Sequence, residues 1–404
     1  MFKNLLSNEP VNTGRQKEID IVKAFTILTM IICHCIEELY TAYKGDMFAV
    51  FVREYENQII GAQAFMIAMG IGISYSRHSD WKTLLNRGVN LVVIGLLLNL
   101  AKYALPNIMN YLITGDIIWR KNVFLVFSSD IMQFAGLAFL LIGIFKYFNF
   151  SELKIFLTSI ILNIIGMLTV FKVNTGYYAL DQLIGMFIST RTESYFPLLH
   201  WFIYPAFGIY FGHILKRVND KKKFYLTLLI PTGILTLIYV YVASCVDQSY
   251  FRVIHNLNSF NQMSITDAGM QIFCNIFLFC ISFFISGLFS ENAMKGVNFI
   301  SGNINRFYCV QWIIIEFLEC IFAVIFIYSV TKSYQCYSIA FGVMLLTATI
   351  VYIYSTFLAK KCDEFFGRKA ALWYGLVAVV CVILCVWAYG AGLPMPNLWN
   401  DYLK

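Results

Sequence analysis

Apolar runs of about twenty residues alternate with short polar turns along almost the whole chain. Eleven of them, at 19–40, 59–76, 84–103, 130–148, 153–172, 196–215, 224–243, 268–288, 306–329, 336–358 and 370–390, are each near the ~20 residues that a helix needs to cross a bilayer. The pattern predicts an all-α, polytopic membrane helix bundle of about eleven transmembrane helices. Two further apolar segments, 104–128 and 177–192, read as loops that re-enter the membrane or lie flat at its surface.

The polar positions inside the first run break its apolar character in an ordered way. Asp20, Lys23 and His34 interrupt the span, and Glu37 and Glu38 follow. Lys23 and His34 are eleven residues apart, almost three helical turns, which places them on one face roughly 16 Å apart along the axis. Ionisable groups at that depth are expensive and mark functional positions. His34 stands out as the histidine set deep within a span, with Glu37 or Glu38 as candidates to orient it. Lys23 has the ordinary alternative of a lysine reaching for the membrane surface. Asp130, after Ser128 and Ser129, reads as a helix N-cap or as a partner for His34 or for a substrate.

Charge sets an expected orientation. With the N-terminus inside, the cytoplasmic segments carry 19 Lys and Arg and the outer segments 10. This bias predicts an N-in, C-out arrangement, with 1–16 a cytoplasmic tail and 391–404 an extracytoplasmic one. Lys23 then lies near a basic cytoplasmic mouth, suited to an anionic ligand, and His34 lies toward the outside. Arg77 and Arg87 read first as topology signals of the same bias.

Composition agrees with one membrane domain over 1–404 and no soluble domain. Hydrophobic residues make up 59% of the chain, charged residues 13%, and the mean hydropathy is +0.69. The net charge of +7 belongs to loops facing a lipid bilayer and does not point to nucleic acid. The eleven cysteines lie mostly in apolar runs and behave as small hydrophobes. Cys33-His34-Cys35 cannot chelate one ion, because adjacent helical residues point about 100° apart, so no metal is expected. Gly208 and Gly212 are spaced for close helix packing, and Trp201, Trp312 and Trp387 read as interface or packing residues.

Asp20 and Lys23-x10-His34 resemble the opening element of transmembrane acyltransferases of the acyltransferase-type-3 family and of the related heparan-α-glucosaminide N-acetyltransferase-like family, with Lys for the usual Arg. Further segments are similar in the same order: Phe65 to Ser74, Arg87 to Leu98, Asp130-Ile-Met-Gln133-Phe-Ala-Gly136, Phe196-Pro197-Leu-Leu-His200-Trp201, and Gly302 to Tyr308. The resemblance covers roughly residues 15–360. Other family positions differ: Phe134 stands in the place of an Arg and His200 in that of a Pro, an acidic residue at the outer end of the second span falls on Ile59, and a histidine used by the sugar N-acetyltransferases falls on Gly45.

The resemblance implies an integral membrane acyltransferase. Its donor would be acetyl-CoA or another short acyl-CoA arriving from the cytoplasm, with the phosphates meeting Lys23, Arg87 and Arg77. His34 would be the catalytic base or a covalent relay, with Glu37 and Asp130 as further catalytic candidates. The acceptor would be a hydroxyl or amine of an extracytoplasmic sugar, and the location a cell membrane. Two other classes stay open: a proton-coupled secondary transporter of a small anion, and an inactive membrane scaffold. Assembly into a homo-oligomer is left open as well.

Overall fold

The computed structural model describes residues 5–53, 60–191, 194–245, 261–322, 330–362 and 370–390. The expected tail 391–404 and the end of the expected ninth span, 323–329, lie outside the described residues. The principal helices are α1 (Lys17–Leu39), α2 (Ala62–Tyr75), α3 (Trp81–Asn99), α4 (Leu105–Thr114), α5 (Ile117–Asn122), α6 (Ile131–Tyr147), α7 (Glu152–Thr169) and α8 (Tyr178–Gly185). They are followed by α9 (Ile203–Lys216), α10 (Lys221–Cys245), α11 (Ile265–Ile285), α12 (Glu291–Gly302), α13 (Ile304–Cys320), α14 (Ser333–Ile353) and α15 (Ala370–Tyr389). Among the described residues there is no strand, and two isolated bridges are the only β-type pairing.

Each of the eleven expected apolar runs overlaps a helix. Nine helical runs among the described residues are long and apolar enough to cross a membrane. The apolar α2, at 14 residues, and α13, at 17, are shorter. The 104–128 segment is not a loop. A π-helical turn, Leu100–Ala104, carries α3 directly into α4, and α5 leads the chain back to α6. Gly115 ends α4 with a left-handed φ of 71°, a conformation that costs glycine least. The expected 177–192 loop contains α8.

Side-chain caps set several helix starts. The Asp80 carboxylate accepts the Thr83 N–H at 3.1 Å ahead of α3, and Ser264 and Asp267 form a reciprocal capping box at α11. Within the bundle, glycine brings two helix pairs close enough for backbone contact. A Cβ at Gly70 of α2 would overlap the Pro205 carbonyl oxygen of α9, and one at Gly208 would overlap the Ile67 carbonyl oxygen. Gly88 of α3 faces Gly136 of α6 in the same manner.

α1 runs through the centre of the bundle, packed on α2, α11, α12, α13 and α14. Its polar start is fully engaged. Glu18 accepts from Lys221 at 2.6 Å and Tyr225 at 2.9 Å, both on α10. Asp20 pairs with Arg15 at 2.5 Å and accepts from Ser301 of α12 at 2.5 Å. The preceding segment straps across the end of α9, with Ser7 N–H donating to the Arg217 carbonyl and Asn219 N–H to that of Leu5.

Candidate functional site

A cavity of about 380 Å³ opens between α1, α2, α3, α6 and α13. Its walls are mainly apolar, among them Ile27, Phe65, Met69 and Phe139. Its polar lining comes from Lys23 of α1, Arg87 and Asn90 of α3, and Asn305 and Tyr308 of α13. The two cations that the sequence set apart, sixty-four positions from each other, thus face one space. Lys23 is partly buried and Arg87 exposed. Arg77 is exposed in the turn after α2 and does not line the cavity.

Tyr308 is where the cavity meets the buried centre of the bundle. Its ring lines the cavity, and its hydroxyl donates to Asp130 Oδ1. The other oxygen of Asp130 receives Lys102 Nζ at 2.5 Å, and Oδ1 also caps α6 through the Ile131 N–H at 2.6 Å. Asp130 is therefore both the expected N-cap and the anion of a buried ion pair. Its oxygens are occupied by Lys102, Tyr308 and backbone, so it does not hydrogen-bond His34. Lys102 is 2% exposed and sits in the π-helical turn, a local distortion that recurs at functional sites.

His34 lies beyond Tyr308, 8% exposed. Its ring centre is 6.4 Å from that of Tyr308 and 4.1 Å from that of Trp312, tilted by 31° from the indole. The Gln311 amide meets Nδ1 at 3.1 Å. Gln311, not a glutamate, holds this imidazole. Glu37 pairs instead with Arg53 at 3.6 Å on the partly exposed rim. α13 presents Tyr308, Gln311 and Trp312 together on its buried stripe.

Lys102 and Asp130 are within electrostatic reach of the imidazole. Lys102 Nζ also lies 4.3 Å from the centre of the Trp312 ring, the ring on which His34 stacks. His34 is not the only deeply buried histidine: His200 is fully buried too, with Nδ1 3.2 Å from the Met263 carbonyl oxygen. It lies at the start of its span and outside the cavity lining.

Chemically, the arrangement joins a cation-mouthed, apolar-walled cavity to a buried imidazole fixed at one nitrogen. Such a pairing suits group transfer from an anionic carrier to an acceptor that can lose a proton. Lys102, Gln311 and Trp312 are the participants that sequence reasoning missed. Their partners are far away in the chain, and a lysine at the end of an apolar run reads as a boundary charge.

Residues 15–244 match the family model described as heparan-alpha-glucosaminide N-acetyltransferase, catalytic. The match takes in Lys23, His34, Arg87, Lys102 and Asp130 and covers more than half of the chain. Comparison with curated proteins and with solved structures returned no match. With that match, the multi-pass helical bundle and the residues it brings together belong to a membrane acetyltransferase: the chain is a member of the heparan-α-glucosaminide N-acetyltransferase catalytic family.

Proposed function

We propose that the protein, a single membrane domain with its N-terminus in the cytoplasm, moves an acetyl group from cytosolic acetyl-CoA to a hydroxyl or amine of a cell-envelope glycan on the outer side. The observation that carries this reading is the cavity that holds both Lys23 and Arg87 and ends at Tyr308, beside His34. At about 380 Å³ it sits near the lower end of the range for ligand pockets. That space suits the pantetheine arm and its acetyl group, with the nucleotide phosphates left at the mouth near the two cations.

In this reading His34 is the general base. The Gln311 amide nitrogen faces Nδ1, and its oxygen has no partner among the described residues; in the proposed reaction the amide is turned over, so that the oxygen accepts the Nδ1 proton and the Nε2 lone pair is free. The acceptor oxygen or nitrogen attacks the thioester carbonyl, and Nε2 takes the acceptor's proton. The tetrahedral intermediate collapses with cleavage of the C–S bond, and the imidazolium returns the proton to the departing thiolate. Glu37 and Arg77 have no part in this chemistry, and Asp130 acts through its neighbours.

The test is thiol release from acetyl-CoA by purified protein in lipid nanodiscs, with isolated envelope glycans as acceptor, alongside mass spectrometry of those glycans from cells with and without the gene. Acetyl-sized mass increments that vanish with the gene, together with saturable acetyl-CoA binding, are the expected result. Binding of acetyl-CoA with no transfer to any envelope fraction would overturn the acceptor assignment. No binding at all would overturn the reading of the cavity.

A further inference from the structure

The Lys102–Asp130 pair is not needed to explain why α3 and α6 associate, because the Gly88–Gly136 contact already brings these helices together. A buried ion pair is also a poor source of stability, since well-packed uncharged groups commonly serve as well. What the pair touches is more informative. Asp130 holds the Tyr308 hydroxyl, at the inner end of the cavity. Lys102 sits over the indole of Trp312, and that indole carries the His34 ring. The lysine is brought there by a π-helical turn, a departure from regular helix that shifts the side chains around it.

We infer that Lys102 is a positioning residue for acyl transfer. Its ammonium, balanced by Asp130, fixes at once the tyrosine that ends the donor cavity and the indole that orients the base. This inference rests on the assignment of His34 as the base. It adds that the distance from the end of the cavity to the imidazole is set from α3 and α6, by a cation that contacts neither substrate.

The experiment removes the charges without leaving one of them stranded. In Lys102→Met/Asp130→Asn the asparagine still caps α6 and still accepts from Tyr308, while the hold on Trp312 is gone. The double variant should fold and keep its acetyl-CoA KM within about threefold. Its kcat should fall by about 10², the loss that roughly 1 Å of misplacement of a reacting group produces. Lys102→Arg, which keeps both the charge and the stacking on an aromatic face, should recover part of that kcat. A second variant, Trp312→Phe with the ion pair intact, should give the same selective loss of kcat, and it stands even where the double variant does not fold.

Wild-type kcat in the folded double variant, or in Trp312→Phe, overturns the inference. So does a raised KM with kcat unchanged, which would assign the pair to donor binding. His34→Ala, measured alongside, separates the two readings. Where His34→Ala is inactive and the double variant is fully active, the base assignment stands and the role of Lys102 falls. Where His34→Ala transfers acetyl normally, both fall.

Discussion

The cavity and the buried centre beyond it use polar residues in opposite ways. The cavity spreads its two cations at a mouth where one is exposed and neither forms an ion pair among the described residues. The centre packs Lys102, Asp130, Tyr308, Gln311, Trp312 and His34 into mutual contact with almost no solvent exposure. A loosely held cation can receive an anionic group that arrives and leaves. A buried network in which Lys102, Asp130 and Tyr308 are already paired and oriented costs little to keep still during a reaction. Under the proposed function, the contrast gives binding to one region and chemistry to the other. Variants in the cavity should therefore move KM, and variants in the centre should move kcat.

The largest effect tests the centre. His34→Ala should lower kcat by at least about 10²- to 10⁴-fold, the usual contribution of a general base, while acetyl-CoA binding persists. His34→Asn sharpens the point, since asparagine can orient an acceptor but cannot take its proton at neutral pH. Near-normal turnover by His34→Asn would leave His34 as an orienting residue and dissolve the division between the two regions. Steady-state kinetics with both substrates varied is the measurement.

Next comes the cavity. Loss of a charge-assisted contact is worth about 1.5–3 kcal/mol, so Lys23→Ala should raise the acetyl-CoA KM roughly 10- to 100-fold with kcat nearly unchanged. Lys23→Arg should preserve or improve binding, because guanidinium grips phosphate with two parallel hydrogen bonds. Affinity should weaken with added salt at the exposed mouth. An unchanged KM in Lys23→Ala would break the comparison from the other side.

Arg77 and Arg87 give a smaller, differential effect. Arg87→Ala should raise the donor KM by about tenfold. Arg77→Ala should leave it within about twofold, because Arg77 lies off the cavity. Equal effects would mean that the mouth extends beyond its lining residues.

The smallest effect concerns the start of α3, the helix that carries Arg87 toward the cavity. The hydrogen bonds from Thr83 hold the exposed Asp80 carboxyl below its ordinary value. A group whose folded-state pKa is depressed contributes stability that is present above its unfolded value, about 3.9, and is lost as pH falls through the folded one. Asp80→Ala should thus lower thermal stability slightly at pH 7, and that difference from wild type should vanish in acid. Melting curves across pH would show it.

Most of the bundle was legible in the sequence because a bilayer demands long apolar runs, and few other structures use them. The close helix packing at Gly208 was legible for a related reason, since small residues at helical spacing have few other uses in a span. The third span was only partly legible. The apolar character of 104–128 does not reveal that a π-helical turn continues the helix through it. In the site, Lys23, Arg87 and His34 could be singled out because a charge or an imidazole in an apolar run is conspicuous by itself. Gln311 and Trp312 are not conspicuous, and Lys102 resembles any lysine at a membrane boundary. Their meaning lies in contacts with residues 277, 278 and 28 positions away, which spacing along one helix cannot supply.

Those separations also set a timetable. α1 is synthesised before the helices that hold several partners of its polar residues. Glu18 waits for Tyr225, Asp20 for Ser301, and His34 for Gln311, 277 residues downstream. At a synthesis rate of about 5–20 residues per second, the imidazole spends roughly 14 to 55 s without its native partner. Through that interval α1 holds an imidazole whose hydrogen-bond partner has not yet been made. The helix that carries the central histidine is therefore completed late, by residues made after most of the bundle.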